Sequence, residues 1–188
     1  MHSLCLPYCY ESIRNRKRKY MPQMVEIEVV GTFAAPLENK FNKDIQGVKP
    51  KDTLVINITS HGGEVETLKR MAATILSLKQ RGVEVVTFVP LYAESAGFFL
   101  FLLGDHREIA EKATVHYHAP RVELDWNVYT KNDLASIVEA LSAYQDFTNS
   151  IFRASCDIND ELFSILENSE LPMNRTHLIS LGIINNNN

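Results

Sequence analysis

The sequence predicts an α/β fold, in which strands alternate with helices, and three observations carry this prediction. Short β-branched segments alternate along the chain with segments whose apolar residues recur every three or four positions. The segment Thr53–Thr59 (TLVINIT) is apolar almost throughout, as expected of a strand that is buried on both faces. The chain has 188 residues, 45% of them hydrophobic, which suffices for one domain with its own core.

The first half of the chain contains two strand–helix units. Strand, helix, strand and helix are predicted in turn at Val25–Val30, Leu37–Ile45, Thr53–Thr59 and Glu64–Gln80. The second helix carries its apolar residues on one face, and Gly82 follows it in the position of a C-terminal cap. The second strand leads directly into the sequence SHGG (residues 60–63), which places a glycine pair between a strand and a helix.

The second half begins with a third strand–helix unit and ends in helices. We expect a strand at Val83–Val89, a turn at Pro90–Glu94, an apolar helix at Ala96–Leu103, extended segments at Glu108–Ala110, Thr114–Tyr117 and Val122–Leu124, and helices at Asn132–Phe152, Asp160–Leu166 and Thr176–Leu181. The longest of these helices is amphipathic, so its apolar side needs a partner surface.

Charge is unevenly distributed between the N-terminus and the rest of the chain. The formal net charge is −4, but the first 20 residues carry five Lys or Arg and one acidic residue. We therefore divide the chain into a basic, disordered leader at 1–23, a domain at 24–185 and an Asn tail at 186–188. The leader could contact RNA or a membrane surface, although a solvated tail is the simpler interpretation. The acidic remainder gives no reason to expect a nucleic-acid binder.

Cysteine content and hydropathy favour a cytoplasmic protein. Cys5 and Cys9 lack the two-residue gap of a zinc knuckle, and Cys156 makes the number odd, so we expect free thiols in a reducing compartment. The longest apolar run, Ala96–Leu103, is far shorter than the roughly 20 residues that span a bilayer. The N-terminus has no apolar stretch of the kind that marks a secretory signal.

Two features at strand–helix junctions could carry chemistry. Gly62 and Gly63 permit positive φ angles and let backbone N–H groups approach an oxygen closely, although most such turns are structural. Ser95 opens an apolar helix after a strand and a turn, which exposes a hydroxyl beside the Ala96 N–H, a candidate oxyanion donor. Taken alone, Ser95 is better explained as a helix N-cap.

Two histidines lie near the end of a short apolar strand. His118 precedes Ala119 and Pro120, which force an extended path, and a single His in that setting is more often structural. His116 would face the same side of the strand, so the pattern does not choose between the two imidazoles. Several downstream carboxylates could orient an imidazole, and the sequence does not rank them: Asp125, Asp133, Asp157, Asp160 and Glu170.

Three stretches, taken in order, resemble the Clp protease proteolytic subunits (ClpP). They are INITSHGGEV (Ile56–Val65), YAESAGFFLFLLG (Tyr92–Gly104) and VHYHAP (Val115–Pro120). The family pattern is a strand into S-P-G-G, then A-S-x-G-A-x-L, then H-x-P. The likeness covers roughly residues 25–185. The long helix Asn132–Phe152 is similar to the family's handle helix, and LISLGIIN (Leu178–Asn185) is similar to its closing E-A-x-x-x-G-L-x-D.

The resemblance implies a ClpP/crotonase-like (ββα) superhelical repeat with a protruding handle helix, and serine endopeptidase activity. Ser95 matches the nucleophile and His118 the general base, while Gly63 and Ala96 match the residues whose N–H groups form the oxyanion hole. The substrate would lie extended, as a strand added between the segments Gly63–Val65 and Val122–Leu124. The residues expected to contact it are Gly62, Glu64, Val65 and Val122. No metal or other cofactor is implied.

Four residues depart from the family pattern. Counted back from the closing motif, the third triad position falls on Glu170, where Asp is usual; the longer carboxylate can still hold an imidazole tautomer. His61 replaces a Pro beside the oxyanion loop, and Asn185 replaces the terminal Asp. Glu94 replaces a small residue immediately before Ser95, where an acid could oppose the developing oxyanion.

These departures keep two alternatives open. The first is a catalytically inactive ClpP-like structural subunit, and the second is a crotonase-type acyl-CoA enzyme, which would leave Ser95 and His118 unexplained. By the resemblance, we expect a ring-forming homo-oligomer, a heptamer or tetradecamer, that encloses a chamber and cleaves peptides or unfolded proteins. An AAA+ unfoldase would be its partner, with no membrane involved. Phage head-maturation proteases share the fold, and a viral member would suit the compact length.

Overall fold

A computed structural model describes residues 20–125, 127–156, 158–169 and 171–185, without the side chains of 167–169. Most of the predicted leader, the Asn tail and Glu170 lie outside the described residues. The described chain is a mixed α/β structure, which confirms the predicted fold class. No helix in this part of the chain combines the length and apolarity needed to cross a bilayer.

Six strands and six helices follow one another in the described ranges. In chain order they are β1 (Met24–Val30), α1 (Ala35–Asp44), β2 (Thr53–Thr59), α2 (Val65–Gln80), β3 (Glu84–Val89), β4 (Tyr92–Glu94), α3 (Ala96–Leu102), β5 (His106–Ile109), β6 (Thr114–His116), α4 (Lys131–Ser155), α5 (Asp160–Ser169) and α6 (Arg175–Ser180). The strands and helices predicted up to residue 89 agree with this order to within two residues at each end.

The main sheet is parallel, with strand order β1-β2-β3-β5. Ile27 of β1 lies beside Ile56 of β2, and Thr87 of β3 continues the same row. In β2 only alternate side chains are fully buried, because one face packs on the core and the other is half-exposed. The expectation that β2 is buried on both faces is therefore wrong. Its apolar sequence reflects a fully buried face beside a half-buried one.

A second, two-stranded sheet was not predicted as such. Tyr92–Glu94, expected to be a turn, forms β4 and pairs in parallel with β6. Ser60, directly after β2, joins this small sheet through a bridge to Ala93. Because β4 has only three residues, it shows no period that sequence analysis could detect. The bridge brings the end of β2 beside the end of β4.

Helix α3 is the buried centre of the domain. All seven of its residues, Ala96–Leu102, are buried. The ring of Phe98 lies 5.9 Å from that of Phe152 of α4, and Phe152 lies 5.4 Å from Phe163 of α5. Tyr117, after β6, stacks on Phe152 at 5.2 Å. This aromatic cluster ties the C-terminal helices to the sheet and explains why α3 can be apolar on every side.

The long helix α4 begins at a capping box. Thr130 and Asp133 exchange side-chain and backbone hydrogen bonds, which satisfy free N–H groups at the helix start. The bonds from the Thr130 hydroxyl and amide hold the pKa of Asp133 below its ordinary value. Ahead of this helix, Val122–Leu124 forms no strand, so the prediction of a strand there is wrong. All three residues are exposed and lack a strand to pair with.

The last residues assigned to the leader are attached to the domain. The buried carboxylate of Asp52 accepts hydrogen bonds from the Gln23 and Lys49 amides, each at 2.8 Å, and from the Tyr20 hydroxyl. The Tyr20 bond and then the Gln23 amide hold the pKa of Asp52 below its ordinary value. The same contact raises the pKa of Tyr20 to about 12.

Candidate active site

The loop after β2 is shaped by Ser60 and two glycines. The Ser60 hydroxyl donates to the Gly31 carbonyl and accepts from the Gly62 N–H at 3.0 Å, so the amide of Gly62 is already occupied. Gly62 has φ +98°, a conformation that residues with a Cβ rarely adopt. Glycine is therefore needed here for the backbone to turn away from β2.

Gly63 leaves its N–H available. Phe33 N donates to the Gly62 carbonyl and Glu64 N donates to the Phe33 carbonyl, both at 2.8 Å. A Cβ on Gly63 would lie 2.5 Å from the Phe33 carbonyl oxygen, so only glycine fits this contact. Within the described part of the chain, the Gly63 N–H has no hydrogen-bond acceptor, and the residue is exposed. The Gly63 N–H is therefore accessible, as a donor to an oxyanion has to be.

Ser95 stands at the junction of β4 and α3 in a strained backbone conformation. Its φ is 51° and its ψ is −122°, and its side chain makes no capping hydrogen bond. Ser95 thus occupies the N-cap position of α3, as expected, but without the side-chain hydrogen bond by which a serine stabilises a helix start. A serine at positive φ on a sharp strand-to-helix turn is the arrangement that exposes a nucleophilic hydroxyl in hydrolases.

The amides next to Ser95 mirror those of the glycine loop. The Ser95 N–H donates to the His116 carbonyl at 2.9 Å and is thus occupied. Ala96 is the first residue of α3, and N–H groups of a first turn have no intrahelical acceptor. In both loops the first amide is occupied and the following one, Gly63 or Ala96, is available as a donor.

Gly62 lies against Ser95 and so joins the two loops. A Cβ on Gly62 would be 2.5 Å from the Cβ of Ser95 and 3.0 Å from its Oγ. Gly62 is also buried, and the contact that the structure shows for it is with Ser95. Its role here is to let Ser95 approach the oxyanion loop.

His118 is oriented by the backbone. Its Nδ1 lies 3.0 Å from the Ala119 carbonyl oxygen. Because a carbonyl oxygen can only accept, Nδ1 carries the proton and Nε2 is left as the basic nitrogen, the tautomer that a general base requires. Among the described residues no carboxylate bonds to His118, and Glu170 lies outside them. The Ala119 carbonyl makes the contact that a triad carboxylate would make.

The second histidine lies beside the first. The rings of His116 and His118 meet edge to face with centroids 5.6 Å apart. The Nε2 of His116 is buried and has no hydrogen-bond partner among the described residues. Within the same residues, the Ser95 hydroxyl forms no hydrogen bond to either ring. The main-chain carbonyl of His116 accepts the hydrogen bond from the Ser95 amide, which places the backbone of β6 beside Ser95.

A mainly apolar groove of about 440 Å³ runs beside the oxyanion loop. Three predicted substrate-binding residues, Glu64, Val65 and Val122, line it together with Gly63. Its floor comes from α4, through Ile137, Ala140, Leu141 and Tyr144. The groove thus brings together the two segments between which a substrate was expected, although the second is not a strand.

Two of the departures from the family pattern contact each other, which the sequence did not indicate. His61 Nδ1 lies 2.8 Å from Glu94 Oε2, and the His61 ring stacks on Tyr92 at 4.2 Å. The third departure with a described position, Asn185, lies at the end of the described chain. The sequence indicated only that each of the two residues directly precedes a proposed site residue, His61 before Gly62 and Glu94 before Ser95.

Metal ligation and known relatives add no residues to this site. Within the described ranges no group of three or more His, Cys, Asp or Glu side chains could hold a metal ion. A scan against protein-family models found no match, and a search of curated proteins found none either.

Proposed function

We propose that this chain is a serine endopeptidase of the ClpP type, with Ser95 as its nucleophile. The observation that carries the proposal is the conformation of Ser95. Its side chain caps nothing, its φ of 51° is strained, and it touches the glycine loop that offers a free N–H. Strain of this kind persists where surrounding structure enforces it and is concentrated at active sites.

The reaction follows from the available groups. Ser95 Oγ bonds to the substrate carbonyl carbon while its proton passes to His118 Nε2. The oxyanion is held by the Gly63 and Ala96 N–H groups, each donor worth about 3 kcal/mol of transition-state stabilisation. The C–N bond then breaks, and His118 returns the proton to the leaving amine. In the second half water attacks the acyl-Ser95 ester while the same base accepts its proton; the bond between the acyl carbon and Ser95 Oγ then breaks, and His118 returns the proton to Oγ as the carboxylic acid product leaves. A carboxylate from Glu170 would add to the Ala119 carbonyl in holding the ring.

An extended peptide is the substrate that the groove suits best. Gly63–Val65 offers backbone groups along one side, and the apolar surface of α4 forms the floor. Main-chain hydrogen bonds would supply affinity that is independent of sequence, and the apolar floor would favour hydrophobic side chains. Unfolded protein presents both features.

Assembly is part of the same proposal. Helix α4 leaves Leu134 and Val138 exposed, at 42% and 65%. Val128, ahead of this helix, is 97% exposed, and a second copy would cover exposed apolar side chains of this kind. We propose a cytoplasmic ring-forming homo-oligomer, heptameric or tetradecameric, whose substrates an AAA+ unfoldase would deliver.

One observation favours a second candidate, an inactive structural subunit. In the described residues, Ser95 and His118 share no hydrogen bond, and His118 is held by a backbone carbonyl. Catalytic hydrogen bonds are often long before substrate binds and tighten in the Michaelis complex. The lack of a Ser95–His118 hydrogen bond among the described residues is therefore compatible with an active peptidase as well as with an inactive subunit.

A fluorophosphonate probe separates the candidates, because only an activated serine reacts with it. We expect the wild type to be labelled at one site and Ser95→Ala to lose both the label and peptide hydrolysis. Ser136→Ala, on the exposed side of α4, is the matched control and should be labelled as the wild type is. Unchanged melting temperatures would show that both variants fold. Labelling that survives in Ser95→Ala would remove this serine from the mechanism.

A further inference from the structure

We infer that His61 is a positioning residue for the nucleophile, because it binds the Glu94 carboxylate and fastens the oxyanion loop to the strand that leads to Ser95. This inference rests on the proposed function and assigns a role to two side chains that the mechanism above does not use. Each residue directly precedes a residue of the site, His61 before Gly62 and Glu94 before Ser95.

The two strands meet first through their backbones. Ser60 N donates to the Tyr92 carbonyl at 3.2 Å, and Glu94 N donates to the Ser60 carbonyl at 2.8 Å. This pairing sets His61 beside both ends of β4. The ring then stacks on Tyr92 at an angle of 20°, and its Nδ1 meets the Glu94 carboxylate at 2.8 Å. One side chain thus contacts both ends of β4 next to the nucleophile.

The burial of the pair is asymmetric. The His61 side chain is 70% exposed, whereas that of Glu94 is only 33% exposed. An acid that is two-thirds buried one residue before Ser95 opposes any negative charge that develops on the substrate oxygen. The bond from His61 offsets part of that charge, and the partial burial of Glu94 strengthens the bond relative to one between two fully exposed groups.

Other titratable groups face the pair and must be separated from it. Tyr92 lies under the ring, and His116 is the strand partner of Glu94 in the small sheet. His118 contacts His116 in turn. All three groups persist in variants of His61, so a comparison between wild type and such a variant isolates the loss of His61.

The test is the second-order rate of fluorophosphonate labelling, which needs the nucleophile, the base and the oxyanion donors but no natural substrate. His61→Phe keeps a ring on Tyr92 and removes only the charge partner. We expect it to label about three- to tenfold more slowly. Adding Glu94→Gln to His61→Phe should restore most of the lost rate, since the uncompensated charge is then gone.

A second His–Glu pair provides the matched control. His106 Nε2 lies 3.1 Å from Glu84 Oε1, both are exposed, and neither adjoins the site. His106→Phe should therefore label as fast as the wild type. The inference is overturned if His61→Phe labels at the wild-type rate, or if its slower rate is the same with and without the Glu94 carboxylate. If the wild type itself is not labelled, the proposed function fails first and this inference falls with it.

Discussion

Replacing Gly62 by alanine tests whether the glycine loop and the nucleophile depend on each other. The new Cβ would lie 2.5 Å from the Cβ of Ser95 and 3.0 Å from its Oγ, far inside van der Waals contact. Both the Ser95 side chain and the loop would have to move. The substitution adds one methyl group, and it is directed at the contact between Gly62 and Ser95.

The expected cost has two parts that can be separated. Alanine at φ +98° adds backbone strain of about 1 kcal/mol. Forcing a methyl group into a closed contact costs a further 1–3 kcal/mol or so. Gly31 is the matched control, because it has φ +109° but nothing within 4 Å of an added Cβ. Gly31→Ala should therefore lose only the strain of about 1 kcal/mol.

Two measurements on these variants decide the matter. Urea denaturation should give a free energy of unfolding lower by about 2–4 kcal/mol in Gly62→Ala and by about 1 kcal/mol in Gly31→Ala. Fluorophosphonate labelling under conditions where both variants are folded should be lost in the first and retained in the second. Equal losses of stability, or labelling of Gly62→Ala at the wild-type rate, would refute the proposed contact between loop and nucleophile.

Two further predictions concern the rest of the domain. Asp52 has a lowered pKa in the folded protein, so its stabilising effect is present above its unfolded pKa near 4 and is lost as the pH falls through the folded pKa. In Asp52→Asn the free energy of unfolding should therefore depend less on pH in the acid range. In the same variant the pKa of Tyr20 should fall from about 12 toward 10, as ring-carbon NMR would show, and an unchanged value would contradict the hydrogen bond. Phe152→Ala should lower the free energy of unfolding in urea by about 3–5 kcal/mol, because the fully buried ring joins three helices. Leu134→Ala, at an exposed position, should lower it by under about 1 kcal/mol. Similar losses in the two variants would argue against the aromatic cluster.

Much of the fold could be predicted because it depends on local periodicity. Strand β2 and helix α2 follow from apolar spacing and a terminal glycine, and the structure has both within a residue of the expected ends. Strand β4 was missed because three residues show no period, and Val122–Leu124 was wrongly predicted as a strand because β-branched residues do not ensure a pairing partner.

The candidate site was predictable only in its order along the chain. Glycines, serine and histidine at the ends of successive strands could be identified from sequence, since parallel strands bring such ends to one edge. Whether the Ser95 hydroxyl caps helix α3 could not be predicted from sequence, because this depends on a φ of 51° that the residue type does not predict. The tautomer of His118 likewise depends on the Ala119 carbonyl.

The sequence by itself determined most of the longer strands and helices, and which chemical groups stand at their junctions, because these depend on neighbours within a few positions. Only the tertiary structure decided which groups meet. His61 and Glu94 are 33 positions apart, and their pairing follows from the bridge between Ser60 and Ala93. Contacts of that range are set by the packing of the whole domain, since each residue type alone is compatible with many partners.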